Sequence, residues 1–160
     1  EIYHSPSHYL LIRNIYKLFA ALNYASNELD EWYDKIKTTN KTRVAYIHNN
    51  LESDHFIKNT KSYLISWDKS KIDSPLLDLI TFYNKEYMNY DFESLFKRYF
   101  KSYPLTELEK KLLFIVISIP PLIEFSQTEI ENVKLIRQKL DYVFKTEILI
   151  KNLSSNVEDI

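Results

Sequence analysis

The sequence predicts a mainly α (α+β) fold, helical over most of its length with one small β insert. Three observations predict it. Apolar residues recur at helical spacing, capping residues precede several of these segments, and two short β-branched or aromatic runs interrupt the pattern. A chain of 160 residues can bury one core, so we expect a single domain over 1–160.

The first helix is predicted from about Ser7 to Thr38. Its apolar residues are spaced alternately by four and three positions, as in a heptad seam. They are Leu11, Ile15, Leu18, Leu22, Ala25, Leu29, Trp32 and Ile36. Such a seam is buried either within one domain or against a second copy of the chain, so a homodimer through this helix is an open alternative.

The β insert is predicted at about 44–67. Val44 to Ile47 and Ser62 to Trp67 are rich in β-branched and aromatic residues and lie on either side of a polar stretch. We therefore expect two short strands around a loop, in the manner of a small β-hairpin.

Four further helices are predicted from capping signals after the insert. The second starts at Pro75, the third follows Asp91 and runs to about Lys101, and the fourth and fifth follow the capping-box pairs Thr106 with Glu109 and Ser126 with Glu129. The tail at 152–160 is predicted to fray.

Composition excludes several classes of function. The 21 Lys and Arg balance 22 Asp and Glu, so no net charge recruits nucleic acid, and no apolar run approaches the roughly 20 residues of a membrane span. We expect neither a nucleic-acid nor a membrane partner. The absence of cysteine removes thiolate metal sites and favours a cytoplasmic protein. The absence of glycine excludes a Walker phosphate loop and a dinucleotide fingerprint.

Polar side chains that could take part in catalysis or metal binding, with two apolar residues among them, lie between 46 and 79. A polar loop follows the first predicted strand, the second predicted strand is followed by an acidic residue, and a second acidic residue lies near the start of the next helix. In chain order these positions are His48, Asn50, Leu51, Asp54, His55, Phe56, Ser66, Asp68 and Asp78.

This order resembles the C-terminal lobe of the aminoglycoside phosphotransferase and choline kinase-like family, which has a protein kinase-like fold. In that family a His-Gly-Asp loop, with an Asn five residues after the Asp, precedes an Ile-Asp-Trp or Ile-Asp-Phe strand and then an Asp-Leu helix start. The resemblance covers about residues 44–83. It places His48 on the loop histidine, Leu51 and Phe56 on apolar anchors, and Asp78 on the Asp-Leu pair. It implies a helical kinase-like C-terminal lobe.

The same resemblance implies that the residues of the chemistry are replaced. Asn50 stands at the position of the catalytic Asp, His55 at that of the metal-binding Asn, and Ser66 at that of the metal-binding Asp in the strand. An amide cannot accept the substrate proton, and loss of general-base help typically costs about 10² to 10⁴ in rate. Ser66 has no charge for a hard cation, and His55 prefers softer metals than magnesium. His48 and Asn50 are therefore the catalytic positions of a degenerate loop.

We expect from these replacements a degenerate kinase-like module, a pseudo-phosphotransferase with a binding or scaffold role, and no orthodox kinase activity in this chain. The resemblance also implies an N-terminal nucleotide lobe, which we expect to be absent from this chain. The expected partner is such a lobe or another protein. No cofactor is expected for the chain alone.

Two alternatives stay open. An active small-molecule phosphotransferase with rearranged ligands would use ATP and magnesium, with the metal held by Asp68, Asp54 and His55 beside Glu52. Asp68 follows Ser66 by two residues, so in a strand both side chains would lie on one face. The other alternative is a structural or assembly protein that dimerises through the first helix.

Overall fold

The computed structural model describes residues 5–38 and 42–155 of the chain. Within these ranges there are five α-helices and a small β region, which lies between the first helix and the second in chain order. The helices are α1 (Pro6–Ile36), α2 (Leu76–Glu86), α3 (Phe92–Ser102), α4 (Glu107–Ser118) and α5 (Glu129–Ser155), and the strands are β1 (Ala45–Ile47), β2 (Phe56–Lys58), β3 (Ser62–Leu64) and β4 (Lys71–Asp73). The predicted mainly α fold with a small β-hairpin insert is confirmed.

The four strands form two antiparallel pairs. β1 pairs with β4, with Tyr46 opposite Ile72, and β2 pairs with β3, with Ile57 opposite Tyr63. The two predicted strands therefore exist in part, but each pairs with a strand that the sequence pattern did not reveal. The second one also ends earlier than expected. It stops at Leu64, and a single turn of 3-10 helix occupies Trp67–Lys69.

Capping residues start two of the helices as predicted. The Asp91 carboxylate accepts hydrogen bonds from the backbone N–H groups of Glu93 and Ser94 at the start of α3. At the start of α4, Thr106 and Glu109 form a capping box in which each side chain accepts from the other residue's backbone N–H. These bonds satisfy donors that have no partner inside the helix.

Replacement of Thr106 by alanine is expected to lower the free energy of unfolding by about 1 kcal/mol, because it removes the acceptor for one N–H group of the first turn of α4. Urea denaturation measures the loss. Thr60→Ala, at an exposed position of the turn between β2 and β3, is the matched control and is expected to change stability by less than about 0.5 kcal/mol. Equal losses in the two variants would contradict the assigned cap.

The last helix begins and ends later than predicted. α5 begins at Glu129, and Thr128 Oγ1 accepts from the backbone N–H of Glu131, so Thr128 rather than Ser126 caps it. The helix continues to Ser155 and so includes residues 152–155 of the tail that is predicted to fray, and the remainder of that tail, 156–160, lies outside the described residues. No helix of the described ranges is both long and apolar enough to cross a membrane.

Helix α1 packs within the domain against α4 and α5. Ala25 is buried, Leu18 packs against the core, and Trp32 Nε1 donates a hydrogen bond to the carbonyl oxygen of Leu108 at 2.9 Å. Leu22 and Leu29 are each 43% exposed. Part of the heptad seam is thus buried inside the chain, and part lies on its surface.

The main core lies among α2, α3, α4 and α5. Its buried aromatic and aliphatic side chains include Leu79, Tyr83, Phe92, Phe96, Leu113, Ile117 and Tyr142. Buried hydroxyls are paired, as unpaired ones would be costly. The Tyr83 hydroxyl donates to Thr146 Oγ1 at 2.7 Å, since the Thr146 hydroxyl itself donates to the carbonyl oxygen of Tyr142, and the Tyr142 hydroxyl lies 2.7 Å from the carbonyl oxygen of Ile117. Burial raises the pKa of Tyr83 to about 12. These contacts fix α2, which supplies two carboxylates to the β region.

Candidate functional site

Residues 48–55, which we call the histidine loop, connect β1 to β2, and Asp78 of α2 fixes their start. Asp78 Oδ2 accepts from the backbone N–H of His48 at 2.8 Å, and Oδ1 accepts from that of Asn49 at 2.7 Å. Asn49 has φ of 60°, a left-handed conformation that asparagine tolerates better than most residues. Both oxygens of one carboxylate thus hold two successive backbone amides.

His48 is buried, with 1% of its surface exposed. Its Nε2 lies 2.7 Å from the carbonyl oxygen of Ile65, just after β3. A carbonyl oxygen only accepts, so Nε2 carries the proton, and Nδ1 has no hydrogen-bond partner among the described residues. The ring also contacts Trp67 edge-on, with centroids 4.9 Å apart. His48 therefore ties the histidine loop to the segment after β3 and is not an exposed base.

The three positions predicted to have lost their chemistry lie close together. The carbonyl oxygen of Asn50 accepts from His55 Nδ1 at 2.9 Å, and the carbonyl oxygen of His55 accepts from the backbone N–H of Ile65 at 2.9 Å. Ser66 follows directly and has φ of 64°, which turns the chain away from the strand. Hydrogen bonds thus link the chain segments that carry these three residues, and none of the three side chains, an amide, an imidazole and a hydroxyl, is a carboxylate.

Lys85 of α2 provides a positive charge beside this cluster. Its Nζ donates to Asn50 Oδ1 at 3.0 Å and forms an ion pair with Glu52. The hydrogen bond from Lys85 holds the pKa of the Glu52 carboxyl below its ordinary value. An ammonium group at this distance disfavours a second cation near Asn50, and it is already paired with Glu52, one of the two carboxylates of the loop.

Glu86 is a site residue that the sequence analysis did not identify. It is buried, at 6% exposure, and its carboxylate accepts from the backbone N–H and the hydroxyl of Ser53 and from Asn89 Nδ2. The hydrogen bonds from Ser53 and Asn89 lower its pKa. A signal for it exists, because Glu86 continues the apolar stripe of Leu79 and Tyr83 along α2, where a charge needs partners.

Glu86→Gln is expected to reduce the acid sensitivity of folding. The folded pKa of Glu86 lies below the ordinary 4.5, so its carboxylate stabilises the native state above that value, and this contribution is lost as the pH falls through the folded pKa. The wild-type free energy of unfolding should therefore fall more steeply below about pH 5 than that of the variant. Urea titrations between neutral pH and pH 3 measure both curves. Glu124→Gln, at an exposed loop position, is the control, and if it changes the curve as Glu86→Gln does, the assignment to Glu86 is wrong.

The structure does not gather the predicted alternative metal ligands. No group of three or more His, Asp or Glu side chains in the described residues is arranged to hold a metal ion, and this includes Asp68, Asp54 and His55. The physical reason is the backbone after β3. Asp68 lies in the 3-10 turn Trp67–Lys69 and not in a strand, so the two-residue spacing from Ser66 does not place both side chains on one face.

The two predicted apolar anchors differ in burial. Leu51 is half-buried in the histidine loop, whereas Phe56 at the start of β2 is 54% exposed. Phe56 is therefore mostly exposed and does not anchor the loop in the core.

Three exposed apolar residues lie at the β1–β4 pair, which we call the apolar face: Tyr46 and Ile72 on its two strands, and Trp67 in the turn before β4. Tyr46 and Ile72 are opposite each other in the strand register, and the rings of Tyr46 and Trp67 stack with centroids 5.9 Å apart. Ile72 is 72% exposed and Tyr46 65%. Because Trp67 also contacts His48, this surface adjoins the histidine loop directly.

A scan against models of protein families finds no match to this chain, and neither a curated protein nor a solved structure matches it. A functional assignment therefore depends on the residues and contacts of the site itself.

Proposed function

We propose that this chain is a degenerate kinase-like module with a binding or scaffold role. One observation carries the proposal. Asp78 holds the backbone of the histidine loop through two short hydrogen bonds, while Asn50 and His55 of this loop and Ser66 after β3, the three chemical positions of the resemblance, include no carboxylate.

The order of elements supports the kinase-like reading. β1, the histidine loop and the Asp-Leu helix start follow one another in the order that the resemblance to the phosphotransferase lobe implies, although residues 65–67, at the place of the expected Ile-Asp-Trp strand, follow β3 and are not a strand. The Asp of that helix start reaches back to the loop, so residues 30 positions apart form one unit. The agreement concerns positions that shape the site, namely His48 and Asp78.

The chemistry available in this cluster favours binding over phosphoryl transfer. Transfer of a phosphoryl group depends on positioning and on neutralisation of charge by magnesium, which carboxylate and amide oxygens normally hold. Asn50 and Ser66 supply neutral hydrogen-bonding groups, and Lys85 supplies a positive charge. Such a set can bind a polar or anionic group, but neither Asn50 nor Ser66 can act as a general base or offer a carboxylate to magnesium.

The apolar face supports a protein partner. Tyr46, Trp67 and Ile72 form a contiguous exposed apolar patch beside the histidine loop, and patches of this kind often mark interaction sites. A second folded domain, such as a nucleotide lobe, or another protein would bury these side chains. We place the module in the cytoplasm, in keeping with its lack of cysteine.

Calorimetry with the full chain tests the proposal. ATP is titrated into the protein with and without magnesium chloride, and ADP formation is followed in parallel. We expect no magnesium-dependent heat of binding and no ADP formation, because the cluster holds no carboxylate for the ion. Tight magnesium-dependent binding of ATP with turnover would show the proposal to be wrong.

A further inference from the structure

A cavity of about 670 Å³ lies between α1 and α5, with Ser118 at the end of α4 in its wall. None of its lining residues belongs to the 46–79 region, so it is separate from the candidate site. Its volume lies within the range of about 300 to 1,000 Å³ that is typical of small-molecule sites.

The cavity exists because small side chains face α5 along the middle of α1. Ser7 at the start of α1 binds Glu129 at the start of α5, so the two helices run side by side in one direction from there. Further along, Ala20 and Ala21 leave space opposite the buried apolar residues Val143 and Ile150.

The interior of the cavity suits an apolar chain. Two buried hydroxyls, of Ser118 and Thr146, lie in its wall, and both are already paired within the protein. Ser118 Oγ donates to the carbonyl oxygen of Ile115 at 2.7 Å, and Thr146 Oγ1 donates to that of Tyr142 at 2.8 Å. The interior therefore requires no polar group from a ligand.

Charged and aromatic side chains lie at the margin of the cavity. Tyr16 is 63% and Phe144 61% exposed, so an occupant would remove apolar surface from water. Lysines line it from both helices, Lys17 from α1 and Lys151 from α5, against a single lining carboxylate in the described residues, Glu147. Lys17 forms no ion pair within 5–38 and 42–155. The lining thus carries a net positive charge.

We propose that this cavity binds a single-chain amphiphile with an anionic head group, of the class of long-chain carboxylates. The alkyl chain packs against Ala20, Val143 and Ile150, and the head group lies beside Lys17. The proposal does not depend on the kinase-like assignment, because the two sites share no residue.

Fluorescence of a dansyl-labelled undecanoic acid, titrated into the full chain below its micelle concentration, tests the proposal. We expect saturable binding in the micromolar range and displacement by dodecanoate. Dodecyltrimethylammonium has the same chain with the opposite charge, and we expect it to compete at least about tenfold more weakly. Equal competition by the two would overturn the anionic head group, and absence of saturable binding would overturn the site.

Two pairs of variants locate the binding. Ala20→Trp fills the cavity and should abolish binding, whereas Asn27→Trp, at an exposed position of α1 that does not line the cavity, should leave it unchanged. Lys17→Glu should weaken binding about tenfold, and Lys35→Glu on the same helix should not. The lysine pair alters exposed residues and so tests the proposal even if Ala20→Trp does not fold. Equal affinities within the lysine pair would contradict the proposed position of the head group.

Discussion

Asp78→Asn is expected to lower the free energy of unfolding by about 3 kcal/mol. The native carboxylate accepts from two backbone N–H groups, those of His48 and Asn49. An asparagine amide offers one acceptor oxygen and places its own N–H groups against the second donor. One charge-assisted hydrogen bond is lost, the other is weakened, and a part-buried backbone donor is left unpaired. Urea denaturation at neutral pH measures the change.

Asp68→Asn is the matched control for this experiment. Asp68 is an exposed acidic residue of the same region, in the turn after β3. Its replacement is expected to change stability by less than about 0.5 kcal/mol. If the two variants lose similar amounts, Asp78 does not hold the histidine loop in the way described.

Phe96→Ala is expected to cost about 3 to 5 kcal/mol, the usual range for deletion of a buried aromatic side chain. Phe96 is fully buried, and the centroid of its ring lies 5.5 Å from that of Phe92 and 6.2 Å from that of Tyr83 of α2. Its removal leaves a cavity against the helix that carries both Asp78 and Glu86. We therefore expect the loss of stability to be accompanied by faster hydrogen exchange at the amides of His48 and Asn49.

Phe19→Ala is the control for the core variant. Phe19 lies on α1 and is 56% exposed, so its truncation should cost less than about 1 kcal/mol. Thermal or urea denaturation compares the two. A loss from Phe96→Ala no larger than that from Phe19→Ala would contradict the position of the core.

Helices were predictable because their signals are local. Asp91 and the pair Thr106 and Glu109 act within one turn of the helix that they start, so the sequence pattern is sufficient. The same pattern was misleading at Ser126, because Thr128 with Glu131 offers an equivalent pair two residues later. Local patterns identify the presence of a helix better than its first residue.

Strand pairing was not predictable from the same patterns, because it depends on contacts distant in sequence. β1 pairs with β4 between residues 26 positions apart, Tyr46 and Ile72. The left-handed backbone at Ser66 ends the second strand early, although serine carries no special signal for that conformation. The expected position of Asp68 beside Ser66 followed from a strand that the chain does not continue.

Only part of the candidate site was predictable from the sequence. Asp78 was identified from the Asp-Leu pair, and its contact with the histidine loop agrees with its expected role in shaping the site. Lys85 and Glu86 were missed, since they lie at the end of α2 and act on the loop through tertiary contacts. Asp78 and Glu86 satisfy backbone donors, a structural task that does not require the loop to perform chemistry.

Titration with Mn²⁺, observed through the broadening of backbone amide signals in NMR spectra of the full chain, tests the central claim most directly. Mn²⁺ shares the oxygen preference of magnesium and broadens signals close to its site. The Ser66→Asp variant, which introduces a carboxylate at the position that the resemblance assigns to a metal ligand, is the reference. In the wild type we predict no saturable broadening centred on residues 50–68. Saturable broadening there that Asp68→Asn abolishes would contradict the proposal that residues 50–68 do not bind a magnesium-like ion.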